Sequence, residues 1–88
     1  KRYTELDIVA YDHNTLVFVE VKTRIGLKFG LPEEAVTAWK LKTLVRSAQY
    51  YKLLHPRFTD SMRIDVIAII LTTDHQLENL KWFKNVTG

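Results

Sequence analysis

The sequence predicts an α/β fold, a mixed β-sheet that opens with an antiparallel hairpin and is flanked by one long helix. Three observations predict it. Residues 3–11 and 15–23 are two runs rich in β-branched and aromatic side chains, and Asp12-His13-Asn14 lies between them, as in a tight hairpin. Ala38–Leu54 repeats apolar residues at helical spacing. Met62–Leu71 is almost wholly apolar and β-branched, the composition of a strand buried on both faces.

With 88 residues, the chain suffices for one small domain and not two. Apolar residues make up 47% and charged residues 26%, a balance ordinary for a globular fold. The chain opens with Lys1 and a strand-like pattern starts almost at once, so an N-terminally trimmed domain over residues 1–88 is expected. It contains no cysteine, which excludes disulfides, thiolate zinc sites and cysteine nucleophiles. The longest apolar run, within residues 64–71, is interrupted by Asp65 and is too short to span a bilayer. With no signal-peptide pattern, the expected compartment is the cytoplasm and no membrane partner is expected. The net charge of +3 tilts mildly toward a polyanionic partner.

After the hairpin, residues 24–31 carry Gly26 and Gly30 and are expected to form a loop. Pro32-Glu33-Glu34-Ala35 is suited to a short helical turn. Thr37 is the expected N-cap of the helix. Its buried stripe should comprise Leu41, Leu44, Val45, Ala48 and Tyr51, with Lys40, Lys42, Arg46 and Lys52 off it. His55-Pro56 ends it, because the residue before proline avoids the α region. Residues 72–76 read as a turn, and residues 80–86 as a last, amphipathic strand.

The hairpin carries the functional signal. If His13 and Asn14 are the centre of the turn, paired residues have numbers that sum to 27. Asp7 then faces Glu20, Glu5 faces Lys22, and Val9 faces Phe18. The opposite face collects Leu6, Ile8 and Ala10 against Val17, Val19 and Val21, an apolar surface expected to pack on the helix. A slip of one residue would turn charges toward the apolar face. Two carboxylates directly opposed repel, whereas a hard cation between them would be held by oxygen ligands, waters and a substrate phosphate. Residues two apart on a strand share a face, so Lys22 would stand beside Glu20, placed to hold a phosphate or an attacking water.

The segments Glu5-Leu6-Asp7-Ile8-Val9-Ala10, Phe18-Val19-Glu20-Val21-Lys22-Thr23-Arg24 and Gly30-Leu31-Pro32-Glu33-Glu34-Ala35-Val36, with Lys40, Ala48-Gln49-Tyr50-Tyr51 and Arg63-Ile64-Asp65-Val66-Ile67-Ala68, resemble the YraN-like family of uncharacterised bacterial proteins. That resemblance implies a restriction-endonuclease-like fold of the PD-(D/E)xK class, similar to archaeal Holliday-junction resolvases, with an N-terminal helix that this chain lacks. It implies metal-dependent hydrolysis of nucleic-acid phosphodiesters with Mg²⁺ or Mn²⁺. Asp7 and Glu20 would be the metal ligands and, with Lys22, the catalytic residues; Glu5 would support Lys22. Arg24, Lys28, Lys40 and Gln49 are the candidate nucleic-acid contacts, with DNA favoured over RNA. The related resolvases are dimers, so a homodimer is also expected. Thr4 stands where the family usually has glycine before its first acidic motif.

Two alternatives stand beside the nuclease. One is a non-catalytic nucleic-acid-binding module on the same fold. The other is an assembly domain using Trp82, Phe83 and the tyrosines. His13, His55 and His75 match no metal-binding spacing. Asp65, inside a buried strand, is expected to pair with Arg63 or with a cation from the helix.

Overall fold

A computed structural model describes residues 6–58 and 61–87 of the chain. Four strands form one sheet in the order β1-β2-β3-β4: β1 (Ile8–Asp12), β2 (Thr15–Ile25), β3 (Met62–Leu71) and β4 (Leu77–Phe83). A 3-10 turn at Pro32–Ala35 and the helix α1 (Ala38–Leu54) connect β2 to β3. The two central strands are parallel, from Leu16 opposite Met62 to Ile25 opposite Leu71. Each outer strand is antiparallel to its neighbour. The mixed α/β architecture is therefore the expected one, consistent with a restriction-endonuclease-like fold.

The hairpin has the expected register. Ile8 pairs with Val19, Val9 with Phe18 and Asp12 with Thr15. His13 and Asn14 adopt φ of 47° and 66°. Positive φ at both central residues is the type I′ geometry, whose twist matches the flanking strands. β2 runs two residues beyond the expected end, so Arg24 and Ile25 belong to the strand and not to the loop. β4 begins and ends three residues earlier than the expected 80–86. The Thr72 amide donates to the Gln76 carbonyl at 2.8 Å, a closure that starts the return strand at once.

The helix has the expected bounds, Ala38–Leu54, and Thr37 caps it by accepting from the Lys40 amide at 3.1 Å. Thr37→Ala should therefore cost about 1 kcal/mol of stability, read as a lower urea midpoint with an unchanged slope. The expected stripe is the one that packs. Leu44 and Ala48 are buried with Leu16, Phe18 and Ile64, and Leu41, Val45 and Tyr51 surround them. The Phe18 and Tyr51 rings meet edge to face, with centroids 5.5 Å apart.

Three expectations are overturned, the first of them the side of the sheet that the helix covers. The helix packs on the hairpin face that carries Leu16, Phe18 and Glu20, not on the wholly apolar face of Val17, Val19 and Val21. β3 decides the matter. Its even-numbered Ile64, Val66, Ala68 and Ile70 are apolar and buried, and they lie on the same side as Leu16 and Phe18 by register. Its odd-numbered side presents Arg63 and Asp65. Covering the even side thus buries more apolar surface across the two central strands. Nor is β3 buried on both faces throughout, since Ile67, Ile69 and Leu71 on the odd side are only half-buried. Leu6 is displaced as well. A bend at Asp7 breaks the alternation, and Leu6 packs with Val9 against the core, not beside Ile8 and Ala10.

Candidate functional site

β2 carries Glu20, Lys22 and Arg24 on one face because alternate residues of a strand project together. Leu16 and Phe18 on that face lie under the apolar stripe of α1. Glu20 comes next, beneath the first turn of the helix. Its side chain is only 5% exposed, although the burial of an unpaired carboxylate would cost several kcal/mol. Two ammonium groups offset that cost. Lys22 Nζ lies 3.2 Å from Glu20 Oε2, and Lys40 Nζ, delivered from the first turn of α1, lies 3.7 Å from the same oxygen. Both lysines keep about a quarter of their side chains in solvent. The carboxylate is thus inside and its partners lead outward.

Asp7 sits at the end of the β1–β2 ladder. Among the described residues the strand pairing runs only to Ile8–Val19, one pair short of an Asp7–Glu20 pair, and the Asp7 carboxylate accepts from the Val21 amide at 2.8 Å. The side chain thereby takes the place of a ladder carbonyl and satisfies a donor that would otherwise end unpaired. It also holds Asp7 against β2 at the residue next to Glu20. Glu5 lies outside the described residues.

The four candidate nucleic-acid contacts divide. Arg24 is half-buried on the Glu20 face, and its Nε is buried with no hydrogen-bond partner. Lys40 belongs to the Glu20 cluster itself, a closer role than sequence alone assigns to it. Lys28 is exposed in the loop after β2, 5.6 Å from the centroid of its neighbour Phe29. Gln49 is not brought to this cluster. Nine residues beyond Lys40, at about 100° per residue, it is turned roughly half a revolution away, and it lines a groove with Arg46, Tyr50 and Leu53.

The residues present can be weighed against a divalent cation. Among the described residues, no group of three or more His, Asp or Glu side chains is arranged to hold a metal. Asp7 and Glu20 supply two carboxylates, the donor type and number with which Mg²⁺ is commonly held when it keeps waters and draws on substrate phosphate. Among the described residues, no helix is long and apolar enough to cross a membrane.

A second polar cluster lies on the helix-free face. Asp65 is fully buried and accepts from Arg63 Nε at 3.1 Å, from Trp82 Nε1 at 2.9 Å and from the Asn85 amide at 2.8 Å. Arg63 reaches on to Asp12 at 3.3 Å. The Arg63 pairing is the expected one. Sequence alone does not place Trp82, Asn85 and Asp12 here, because Trp82 comes from a strand whose expected start lies three residues late, Asn85 from the segment just after that strand, and Asp12 from across the sheet. Burial pushes the Asp65 carboxyl up, but the Asn85 amide, Arg63 and Trp82 together hold it below its ordinary value. The hydrogen bond from His13 is the main cause that lowers that of Asp12; desolvation opposes it, and Arg63 adds to the lowering.

A profile of the uncharacterised protein family UPF0102 matches residues 1–69. Among its relatives, a UPF0102 protein of Caldicellulosiruptor saccharolyticus is 40% identical over 92% of this chain and 69% of its own length. One from Beutenbergia cavernae is 53% identical over 77% of this chain and 58% of its own length. One from Francisella tularensis subsp. novicida is 42% identical over 98% of this chain and 69% of its own length. The chain thus spans between 58 and 69% of these relatives' lengths.

Proposed function

Since the chain belongs to the uncharacterised protein family UPF0102 (the YraN-like proteins), we propose that it is the core of a metal-dependent nuclease acting on nucleic acid in the cytoplasm, with DNA favoured and a homodimer as the working assembly. The observation that carries this is the buried Glu20 carboxylate held between Lys22 and Lys40. A fold that only needed stability would do as well with an apolar residue there. A buried acid with two lysines leading to solvent, beside a second acid at Asp7, is the kind of environment found at reactive sites.

In this proposal Asp7 and Glu20 would hold Mg²⁺ or Mn²⁺, and the bound ion would supply polarisation of the phosphate and activation of water. Lys22 binds a non-bridging phosphate oxygen and stabilises the charge that grows as water forms its bond to phosphorus and the ester P–O bond breaks. Lys40 holds Glu20 in one rotamer, so that the carboxylate is oriented before substrate arrives. Arg24, one step further along the same face, adds a positive charge toward which a neighbouring phosphate would be drawn.

The test is cleavage of labelled DNA and RNA in Mn²⁺ or Mg²⁺, against the same reaction in chelator, with Asp7→Asn as control. The side-chain amide oxygen introduced by that substitution would still accept from the Val21 N–H, so the fold should keep its melting temperature while cleavage falls by about a hundredfold or more. Cleavage that survives both chelator and Asp7→Asn would end the proposal. The two lysines already neutralise Glu20 without a cation, which favours a second reading, a non-catalytic nucleic-acid-binding module. Binding that weakens with salt but ignores metal, with no cleavage, would select it.

A further inference from the structure

We infer that the surface beside the Glu20 cluster is built to take unpaired nucleotides, with Phe29 and Trp39 as the side chains on which bases stack. This rests on the nucleic-acid reading above and adds the form of the substrate. Phe29 is 79% exposed and Trp39 75% exposed, and neither belongs to the packed core. Large aromatic rings left in water cost the fold a burial it could have had.

Their positions give the exposure a use. Phe29 lies in the connection that leaves β2 after Ile25, and Trp39 lies in the first turn of α1, to which that connection leads. Each is adjacent in sequence to a cation, Phe29 to Lys28 and Trp39 to Lys40, and Lys40 reaches Glu20 at 3.7 Å. Along α1, Lys42 and Arg46 fall within about 60° of Trp39 on the helix surface, and both are exposed. The outer face of the helix therefore sets an aromatic ring beside a basic track. Alternation of rings with cations is how single-stranded nucleic acid is held without sequence preference, since every base has a π-face and every linkage a negative charge. Stacked bases inside a duplex present no such faces, so the surface should discriminate by strandedness.

The experiment measures fluorescence anisotropy of labelled single-stranded DNA, single-stranded RNA and duplex DNA with the intact 88-residue chain, in chelator so that no cleavage intervenes. Trp39→Ala and Phe29→Ala are compared with the unsubstituted protein, and thermal melts check that both variants stay folded. Each substitution should weaken single-strand binding by about tenfold and leave duplex binding within a factor of two. Equal losses on single strand and duplex, or no loss in either variant, would overturn the inference and leave the nuclease proposal standing. If no nucleic acid of any form bound at low salt, both would fall together.

Discussion

A chain carrying Asp65→Ala is expected to lose about 3 kcal/mol of folding stability. The loss has three parts. The Arg63 guanidinium, the Trp82 indole N–H and the Asn85 amide all aim at one carboxylate that is fully buried. Removing the acceptor takes a partner from all three donors at once, and Arg63 alone keeps a second carboxylate, that of Asp12. The figure sits at the low end of the usual range for a broken buried pair because Arg63 and Trp82 retain access to water. For a small domain of ordinary stability this is a large fraction of the whole, and a denaturant titration would show it as a lower midpoint. The same site gives a pH dependence. The folded-state value of Asp65 lies below its ordinary 3.8, so its contribution is fully present above the unfolded value of about 3.9 and is lost as pH falls through the folded value. Melting temperatures followed downward from pH 6 should hold and then drop below about pH 4. The Asp65→Ala variant, already destabilised, should lack its share of that acid limb.

Lys22→Met is expected to lower metal-dependent cleavage by about 10²–10⁴-fold with little change in folding stability. Methionine keeps the length and apolar stem of the side chain and removes only the ammonium. Lys40 stays within 3.7 Å of Glu20, so the buried carboxylate is not left without a counter-charge. The loss should appear mainly in kcat, because the lysine is proposed to act on charge that develops in the reaction rather than on the resting substrate. Lys40→Met should cost less, about tenfold, because its part is to orient Glu20. If the two substitutions proved equal, or if Lys22→Met changed only the affinity for substrate, Lys22 would be an electrostatic contact and not a catalytic residue.

Much of this was legible in the sequence, for identifiable reasons. The register followed from His13 and Asn14, because a two-residue turn with both φ positive leaves one way to pair Val9 with Phe18. The helix bounds followed from Thr37 and His55-Pro56, each a local signal with a local cause. The side of the sheet that α1 covers was not legible from the hairpin, since it depends on β3, whose Arg63 and Asp65 spoil one face for a helix. The start of β4 was not legible because the sequence of residues 77–86 alternates weakly, and a turn closed by Thr72 and Gln76 fixes it instead. In the candidate site, the shared face of Glu20 and Lys22 came from simple alternation. That Lys40 would meet Glu20 required knowing where the helix lands, and that Asp7 would bond the Val21 amide required knowing that, among the described residues, the ladder runs only to Ile8.

The hairpin and the helix assemble the site by different routes. Asp7, Glu20 and Lys22 are placed by contacts between near neighbours in the chain, and a hairpin closes within microseconds. Lys40 arrives only when α1 docks, and docking waits on β3 joining β2, where Leu16 meets Met62 across a long intervening segment. Partial opening that lifts the helix would therefore strip Glu20 of one of its cations and admit water, while the acidic pair keeps its geometry. Amide exchange should report this hierarchy, with the Val21 amide outlasting those of the first turn of α1.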